Sequence, residues 1–121
     1  MSTTTQELDA ERWHEYFDSL TPGIEGKLAT IEVMDAQAGD QLDAERMPLQ
    51  AISYDPKDDV LEIALGGRGV RYPVVLRHFV SSPSTISVEE SGSITPSAVL
   101  VTDGGGVRTL IRLFDPVELG A

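Results

Sequence analysis

Residues 54–65 read YDPKDDVLEIAL, with four carboxylates (Asp55, Asp58, Asp59 and Glu62) around one proline and one lysine. Carboxylates at that density are the raw material of a cation site. A calcium loop, however, needs oxygen ligands at alternate positions, a glycine at the bend and a closing bidentate glutamate. Asp55, Asp58 and Asp59 keep neither that spacing nor that glycine. Asp55 followed by Pro56 instead suits the first two positions of a type I turn, with Lys57 and the remaining acids as solvated turn residues. The stretch therefore reads as the connection of a β-hairpin.

The other residues that could do chemistry are scattered. TDGGGVR at 102–108 offers backbone amides that could cradle a phosphate. Glycine-rich phosphate loops, though, open a helix, whose dipole and free amides hold the anion. Here a β pattern follows, so Asp103-Gly104 and the glycines after it read as a second hairpin connection. GGRG at 66–69 reads as a further glycine turn. His14 stands four positions before Asp18, the spacing of an exposed helical pair. His78 falls on the same side of its strand as Tyr72, Val74, Leu76 and Val80. A histidine there is more often a hydrogen-bonded core or boundary residue than a catalyst. The sequence holds no HxH, HxxxH or HExxH pair and no GxSxG elbow, the spacings that metal sites and nucleophile elbows require. Nothing brings Glu62 near Glu89-Glu90 for acid–base work. No catalytic residue, metal ligand or cofactor is expected.

These residues must be positioned by one helix and a set of short strands. Trp13, Tyr16, Phe17 and Leu20 recur at i, i+3, i+4 and i+7, one apolar stripe of a helix, while Glu11, Glu15 and Asp18 lie off it. Asp9 suits its N-cap, Leu8 and Trp13 stand at the spacing of a hydrophobic staple, and Thr21-Pro22-Gly23 is expected to stop it. After that the period changes to two. Strands are expected in KLATIEVM (27–34), PLQAISYD (48–55), DVLEIAL (59–65), VRYPVVLRHFV (70–80), TISVEE (85–90), SAVLVTD (97–103) and VRTLIRLF (107–114), with 35–48 irregular between the first two. The last strand is anomalous. One face carries Val107, Thr109, Ile111 and Leu113; the other carries Arg108, Leu110, Arg112 and Phe114. A solvated face does not normally hold a leucine and a phenylalanine, so either the N-terminal helix or a second subunit is expected to cover it.

The chain has 121 residues and no cysteine, enough for one domain that folds without disulfide or metal. No apolar run approaches the roughly 18 residues of a membrane span, and MSTTTQELDAER lacks the features of a signal peptide; a cytoplasmic protein is expected. The net charge is −11, and it is uneven: residues 1–62 hold 15 acids and 4 bases, residues 63–121 hold 5 of each. Phosphate backbones repel such a surface, which argues against nucleic acid. The acidic half reads as a solubilising face, with a basic protein partner as the sharper alternative.

WHEYFD at 13–18, IEV at 31–33, GDQLDAERMPLQAISYDPKDDVLEIAL at 39–65 and TLIRLFDP at 109–116 together are similar to the small bacterial proteins classed as domain of unknown function 5335. The resemblance spans nearly the whole chain, is most specific over 39–65 and is weakest over 69–98. It implies a bacterial, soluble, single-domain protein and carries no reaction, cofactor or ligand with it. The polar members of its shared motif here are Asp40, Gln41, Glu45, Asp55, Asp58 and Asp59. Gly39-Asp40-Gln41 reads as a turn whose aspartate caps nearby backbone.

These readings give an α+β domain over residues 8–121 after a disordered tail over 1–7. An N-terminal amphipathic helix packs on a twisted antiparallel sheet of about six or seven strands, rolled toward a barrel. The expected function is a non-catalytic interaction or regulatory module that self-associates as a homodimer through Leu110 and Phe114, with neither nucleic acid nor membrane among its partners. Two other readings stay open: a small-ligand or cation-binding domain using the acidic loops 39–59, and an enzyme of unrecognised type. Calorimetry with calcium should show no micromolar binding; such binding, abolished by Asp58→Ala and Asp59→Ala, would reverse the turn assignment.

Overall fold

The computed structural model describes residues 3–66, 76–92 and 95–115. The strands are β1 (Thr4–Glu7), β2 (Leu28–Asp35), β3 (Gly39–Asp55), β4 (Val60–Leu65), β5 (Leu76–Ser81), β6 (Pro83–Glu90), β7 (Ala98–Asp103) and β8 (Arg108–Phe114). They form one eight-stranded sheet in the order β1-β6-β7-β8-β2-β3-β4-β5, and every described pairing is antiparallel. A 3-10 turn, Ala10–Arg12, leads into the helix α1, Trp13–Ile24. Among the described residues no helix is long and apolar enough to cross a membrane. The glycine turn expected at 66–69 and the strand expected over 70–80 lie mostly outside the described residues; Leu76 onward is β5.

Alternation puts every second side chain of a strand on the inner face. Ile31, Ile111, Val99 and Val88 line up there across β2, β8, β7 and β6, all buried. On the other half of the sheet Leu49, Leu65 and Leu76 form a second row, and Tyr54, Leu61 and Val80 a third. Trp13, Phe17 and Ile24 of α1 close this core from the concave side. The helix is thus on the face opposite Leu110 and Phe114 and does not cover them.

Three bulges shape β3, two against β2 and one against β4, where Gln50 is the extra residue between Leu49 and Ala51. Asp43 is one extra residue opposite the Ile31–Glu32 step of β2, and a second extra residue falls opposite Thr30, between Ala44 and Met47. Bulges bend a strand and increase its twist. At the second, Arg46 has φ of +47°, in the left-handed region. Its amide donates to Thr30 Oγ1 at 3.1 Å and its guanidinium lies 4.6 Å from the centroid of the Phe114 ring. These contacts offset a conformation costly for a side chain with a Cβ. Beyond the bend β3 leaves β2 and pairs with β4. The bulges break period two, so 39–48, expected to be irregular, is the first half of the longest strand.

The bend also leaves part of the β3 edge without a neighbouring strand, and α1 takes that place. Thr21 Oγ1 donates to the Ile52 carbonyl at 2.9 Å and accepts from the Ile52 amide at 3.4 Å. His14 Nδ1 lies 3.0 Å from the Tyr54 carbonyl. Gly26 and Leu49 then continue the edge, Gly26 N–H to the Leu49 carbonyl and Leu49 N–H to the Lys27 carbonyl. A buried strand edge must find such partners. This clasp explains why α1 runs through Pro22 to Ile24 rather than stopping at Thr21. Pro22 forfeits one amide bond within the helix, while Thr21 is held by β3 and Ile24 is buried. The helix ends before Gly26, at φ +91°.

The N-terminal segment also differs from expectation. Thr4–Glu7, read as part of a frayed tail, pairs with β6 from Thr4 opposite Glu90 to Glu7 opposite Ser87. Its side chains are all exposed, so no hydrophobic alternation marked it. Asp9 makes no side-chain cap bond. Leu8 and Trp13, at the spacing of a staple, are joined by a polar contact: the Trp13 indole N–H donates to the Leu8 carbonyl at 3.3 Å.

Between β5 and β6 stands a single residue, Ser82, with φ of +52°. The two strands it joins lie toward opposite ends of the sheet order. The sheet must therefore roll until those ends meet at Ser82. No ladder joins β1 to β5 among the described residues, so the roll stays an open sheet; the barrel-like expectation holds only as curvature. Replacing Thr21 by valine should cost about 1–3 kcal/mol, the penalty of leaving the Ile52 amide and carbonyl unpaired, while Thr21→Ser should lose much less. Urea unfolding midpoints measure it; a midpoint unmoved in Thr21→Val would remove the clasp from the account of stability.

Candidate functional site

The outer face of the sheet holds the first candidate. Register aligns Leu42 of β3, Glu32 of β2, Leu110 of β8 and Leu100 of β7 in one row. The row beside it reads Asp40, Met34, Arg108 and Thr102; the row on the other side contains Thr30, Arg112 and Ala98. Leu42 is 55% exposed. Leu110, Leu100 and Met34 are only partly covered. Phe114 is not bare, because Arg46 stacks on it. The acids of this face, Asp40 and Glu32, sit on the β3–β2 side and the arginines on β8.

The polar members of the 39–59 loops do not converge. Asp40, Gln41 and Glu45 lie in the first half of β3, and Asp55, Asp58 and Asp59 at its far end. Asp40 pairs with Met34 inside the ladder. The aspartate that caps the β2–β3 turn is Asp35, whose Oδ1 accepts from Gln37 N–H at 2.8 Å and Ala38 N–H at 3.4 Å. Asp55 Oδ1 accepts from Lys57 N–H at 2.9 Å and Asp58 N–H at 3.4 Å, the side-chain-capped turn read from YDPKDD. Asp59, at φ +54°, accepts the Tyr54 hydroxyl at 2.6 Å. Asp55 and Asp58 do meet Ser53, Val60, Glu62 and Phe79 around a recess of about 290 Å³. Glu62 is ion-paired there with Arg77 at 3.0 Å. Among the described residues no three carboxylate, imidazole or thiol groups are arranged to hold a metal ion.

The glycine loop is likewise self-contained. Asp103 Oδ1 accepts from Gly105 N–H at 2.8 Å and Val107 N–H at 3.0 Å. The amides of Asp103, Gly104 and Gly106 donate to the carbonyls of Val107, Ser82 and Asp103. A phosphate would find every amide from 103 to 107 already engaged, five donors shared among four acceptor atoms inside the chain.

Two features were not legible in the sequence, the partner of His78 and a cleft. His78 ends an inner row that begins Ile52–Ile63, the boundary position read from its strand. It is satisfied by Asp43, the bulge residue of β3, with Nδ1 and Oδ2 2.6 Å apart and side-chain exposures of 16% and 41%. Burying an imidazole requires such a partner. His14, by contrast, is exposed and pairs with Asp18 at 3.3 Å, as its spacing indicated. The second feature is a cleft of about 620 Å³ between β1, α1 and the end of β6. Leu8, Leu20 and Tyr16 form its apolar surface; Glu7, Asp9, Glu15 and Glu90 and the single base Arg12 stand around it. Burial, with Glu90 nearby, pushes the Tyr16 phenol above its ordinary pKa, so the hydroxyl keeps its proton. Gly23 lets α1 approach the far wall, since a Cβ there would meet Thr95 Cγ2 at 3.3 Å.

The profile of a family of unknown function, DUF5335, matches residues 4–121. The chain belongs to this family. It is also 35% identical over 116 residues to an uncharacterized protein of Aquifex aeolicus (strain VF5), an alignment covering 95% of this chain and 96% of that protein. No solved structure gives a significant match. The stretch that resembled DUF5335 most specifically, 39–65, is the bent strand β3, its turn and β4. It therefore includes all three bulges of β3, the Arg46 bend and the backbone clasped by α1. In this DUF5335 chain much of the shared stretch serves geometry.

The Tyr54–Asp59 bond gives a pH signature for that stretch. Donating to Asp59 holds the Tyr54 phenol up to about 12, against an ordinary 10.0. Because the folded pKa is raised, the bond stabilises the fold fully below pH 10 and that contribution is lost as pH climbs toward 12. An ultraviolet pH titration should show one tyrosine ionising near pH 12 that disappears in Tyr54→Phe. Ionisation of all tyrosines near their ordinary value would discard the bond.

Proposed function

We propose that the chain is a non-catalytic interaction module that self-associates as a homodimer through the outer face of β3, β2, β8 and β7. The observation that carries this reading is the row Leu42–Glu32–Leu110–Leu100 with its lateral charge asymmetry. An isologous interface must be complementary to itself. A two-fold axis running along the strands between β2 and β8 sets β8 of one copy on β2 of the other and β7 on β3. Arg108 and Arg112 then flank Glu32 of the other copy, and Leu100 meets Leu42. The helix packs on the opposite face, which removes the other cover considered for Leu110.

Native mass spectrometry and sedimentation should find twice the 13.1 kDa chain mass. Leu42→Glu, at an exposed position, should return the single mass while leaving the far-ultraviolet circular dichroism unchanged. The double change Leu42→Glu with Leu110→Glu should do so completely. A wild-type chain that remains monomeric up to about 1 mM, or a dimer indifferent to Leu42→Glu, would overturn the reading.

A further inference from the structure

The first half of β3 is set against its own polarity. One inner row runs Gln41–Val33–Thr109–Val101–Ile86 across β3, β2, β8, β7 and β6. Thr109, Val101 and Ile86 are buried and Val33 is half-buried, yet the row ends on an exposed glutamine. The next residue, Leu42, stands on the outer face at 55% exposure. The Asp43 bulge is the cause. Ala44 pairs with Ile31 and Leu42 with Glu32, and Asp43 is the extra residue between them. In a regular ladder Leu42 and Ala44, two apart, share the inner face. A one-residue slip of 39–43 along β2 would absorb the bulge, bringing Asp43 opposite Glu32, Leu42 opposite Val33 and Gln41 opposite Met34. Leucine would then complete the inner row and glutamine turn outward, because a slip by one exchanges the faces. The β2–β3 loop would lengthen only from 36–38 to 36–39, another common hairpin length.

Two interactions oppose the slip. It would set Asp43 directly opposite Glu32, like charge against like, and it would take Asp43 from His78. Asp43 Oδ2 lies 2.6 Å from His78 Nδ1, and the imidazole, 16% exposed, needs that partner. His78 belongs to β5, two places from β3 in the sheet order, so the pair anchors the bulge from outside the β2–β3 ladder. Apolar burial favours the slipped register; the pair and the Glu32 repulsion favour the bulged one. Opposed preferences of this kind make a bistable element, in which two packings of one sequence lie close in free energy. We propose that the first half of β3 is a register switch, with Asp43–His78 as the catch that keeps Leu42 displayed. The inference rests on the outer face being the self-association surface. In that dimer Leu42 meets Leu100, so the slipped register withdraws the contact and is autoinhibited.

Nuclear magnetic resonance on the full chain reads the register directly, from cross-strand proton contacts of Leu42 with either Glu32 or Val33. Wild type should show Glu32. Asp43→Ala removes both the catch and the repulsion and should show Val33. If the displayed register falls to about a tenth of the population, the dimer dissociation constant should rise about a hundredfold, since both copies must be competent. His78→Phe, which breaks the pair from the other strand, should shift the register the same way; Asp43→Ala, at a side chain 41% exposed, decides alone if His78→Phe does not fold. Deleting Asp43 loses the same carboxylate but also the extra residue, so Leu42 should keep facing Glu32 and the dimer should persist. Leu42 still against Glu32 in Asp43→Ala, or against Val33 in the deletion variant, would overturn the switch. The register is read whether or not the chain dimerises. A shift in a chain that is monomeric throughout would keep the switch and sink the dimer, and an unmoved register in a dimer would do the reverse.

Discussion

The architecture hangs on one residue. Ser82 is all that separates β5 from β6, so the chain crosses from one end of the sheet toward the other without a loop. Its amide donates to the Asp59 carbonyl at 2.8 Å and its carbonyl accepts from the Gly104 amide at 3.0 Å. The β3–β4 turn and the β7–β8 turn are thereby pinned to the same corner. Given that corner, the sheet must curl, its concave side must be filled, and α1 is the element that fills it. Given the curl, β3 must bend, and the bulges at Asp43 and Arg46 do this. The Asp43 carboxylate is then brought to His78, and the bared edge of β3 is turned to Thr21.

The same chain of dependence explains what could be read beforehand. Elements that bury one face by simple alternation were legible, as in β7, β8 and the β3–β4 hairpin, because burial itself writes period two into the sequence. Local chemistry was legible too: Asp55 caps its own turn, and Asp103 turns a glycine loop inward. The N-terminal half of β3 was not, because each bulge shifts the phase of the alternation. β1 was not, because a fully exposed edge strand leaves no hydrophobic mark. The Asp43–His78 pair and the α1–β1–β6 cleft depend on residues far apart in sequence and on a strand that could not be seen. The capping aspartate of the β2–β3 turn was misassigned by one short loop, to Asp40 instead of Asp35, since Gly39 closes the turn rather than opening it.

The two faces of the sheet differ in their chemistry. The concave side carries the helix and an acidic, partly apolar cleft. The convex side carries Leu42, Leu110 and Leu100 with β8 arginines beside β2 and β3 acids. The charge asymmetry along the sequence therefore becomes a spatial one. Acids of residues 1–62 dominate the rim of the cleft, and the arginines of the last strand concentrate on the opposite surface. The family assignment covers both sides, because residues 4–121 include every strand.

The ladder between β2 and β8 carries one more implication. It joins residues about eighty positions apart and sits at the middle of the sheet. The hairpins on either side can form from neighbouring residues, yet neither meander can share a continuous core until this ladder closes. Loop-closure entropy must be met before that closure is rewarded. The molecule should accordingly assemble as two locally formed meanders, β2–β5 and β6–β8, joined in a late, slow docking step to which the equally distant β1–β6 pairing belongs, and damage to the middle ladder should be felt first in the folding rate.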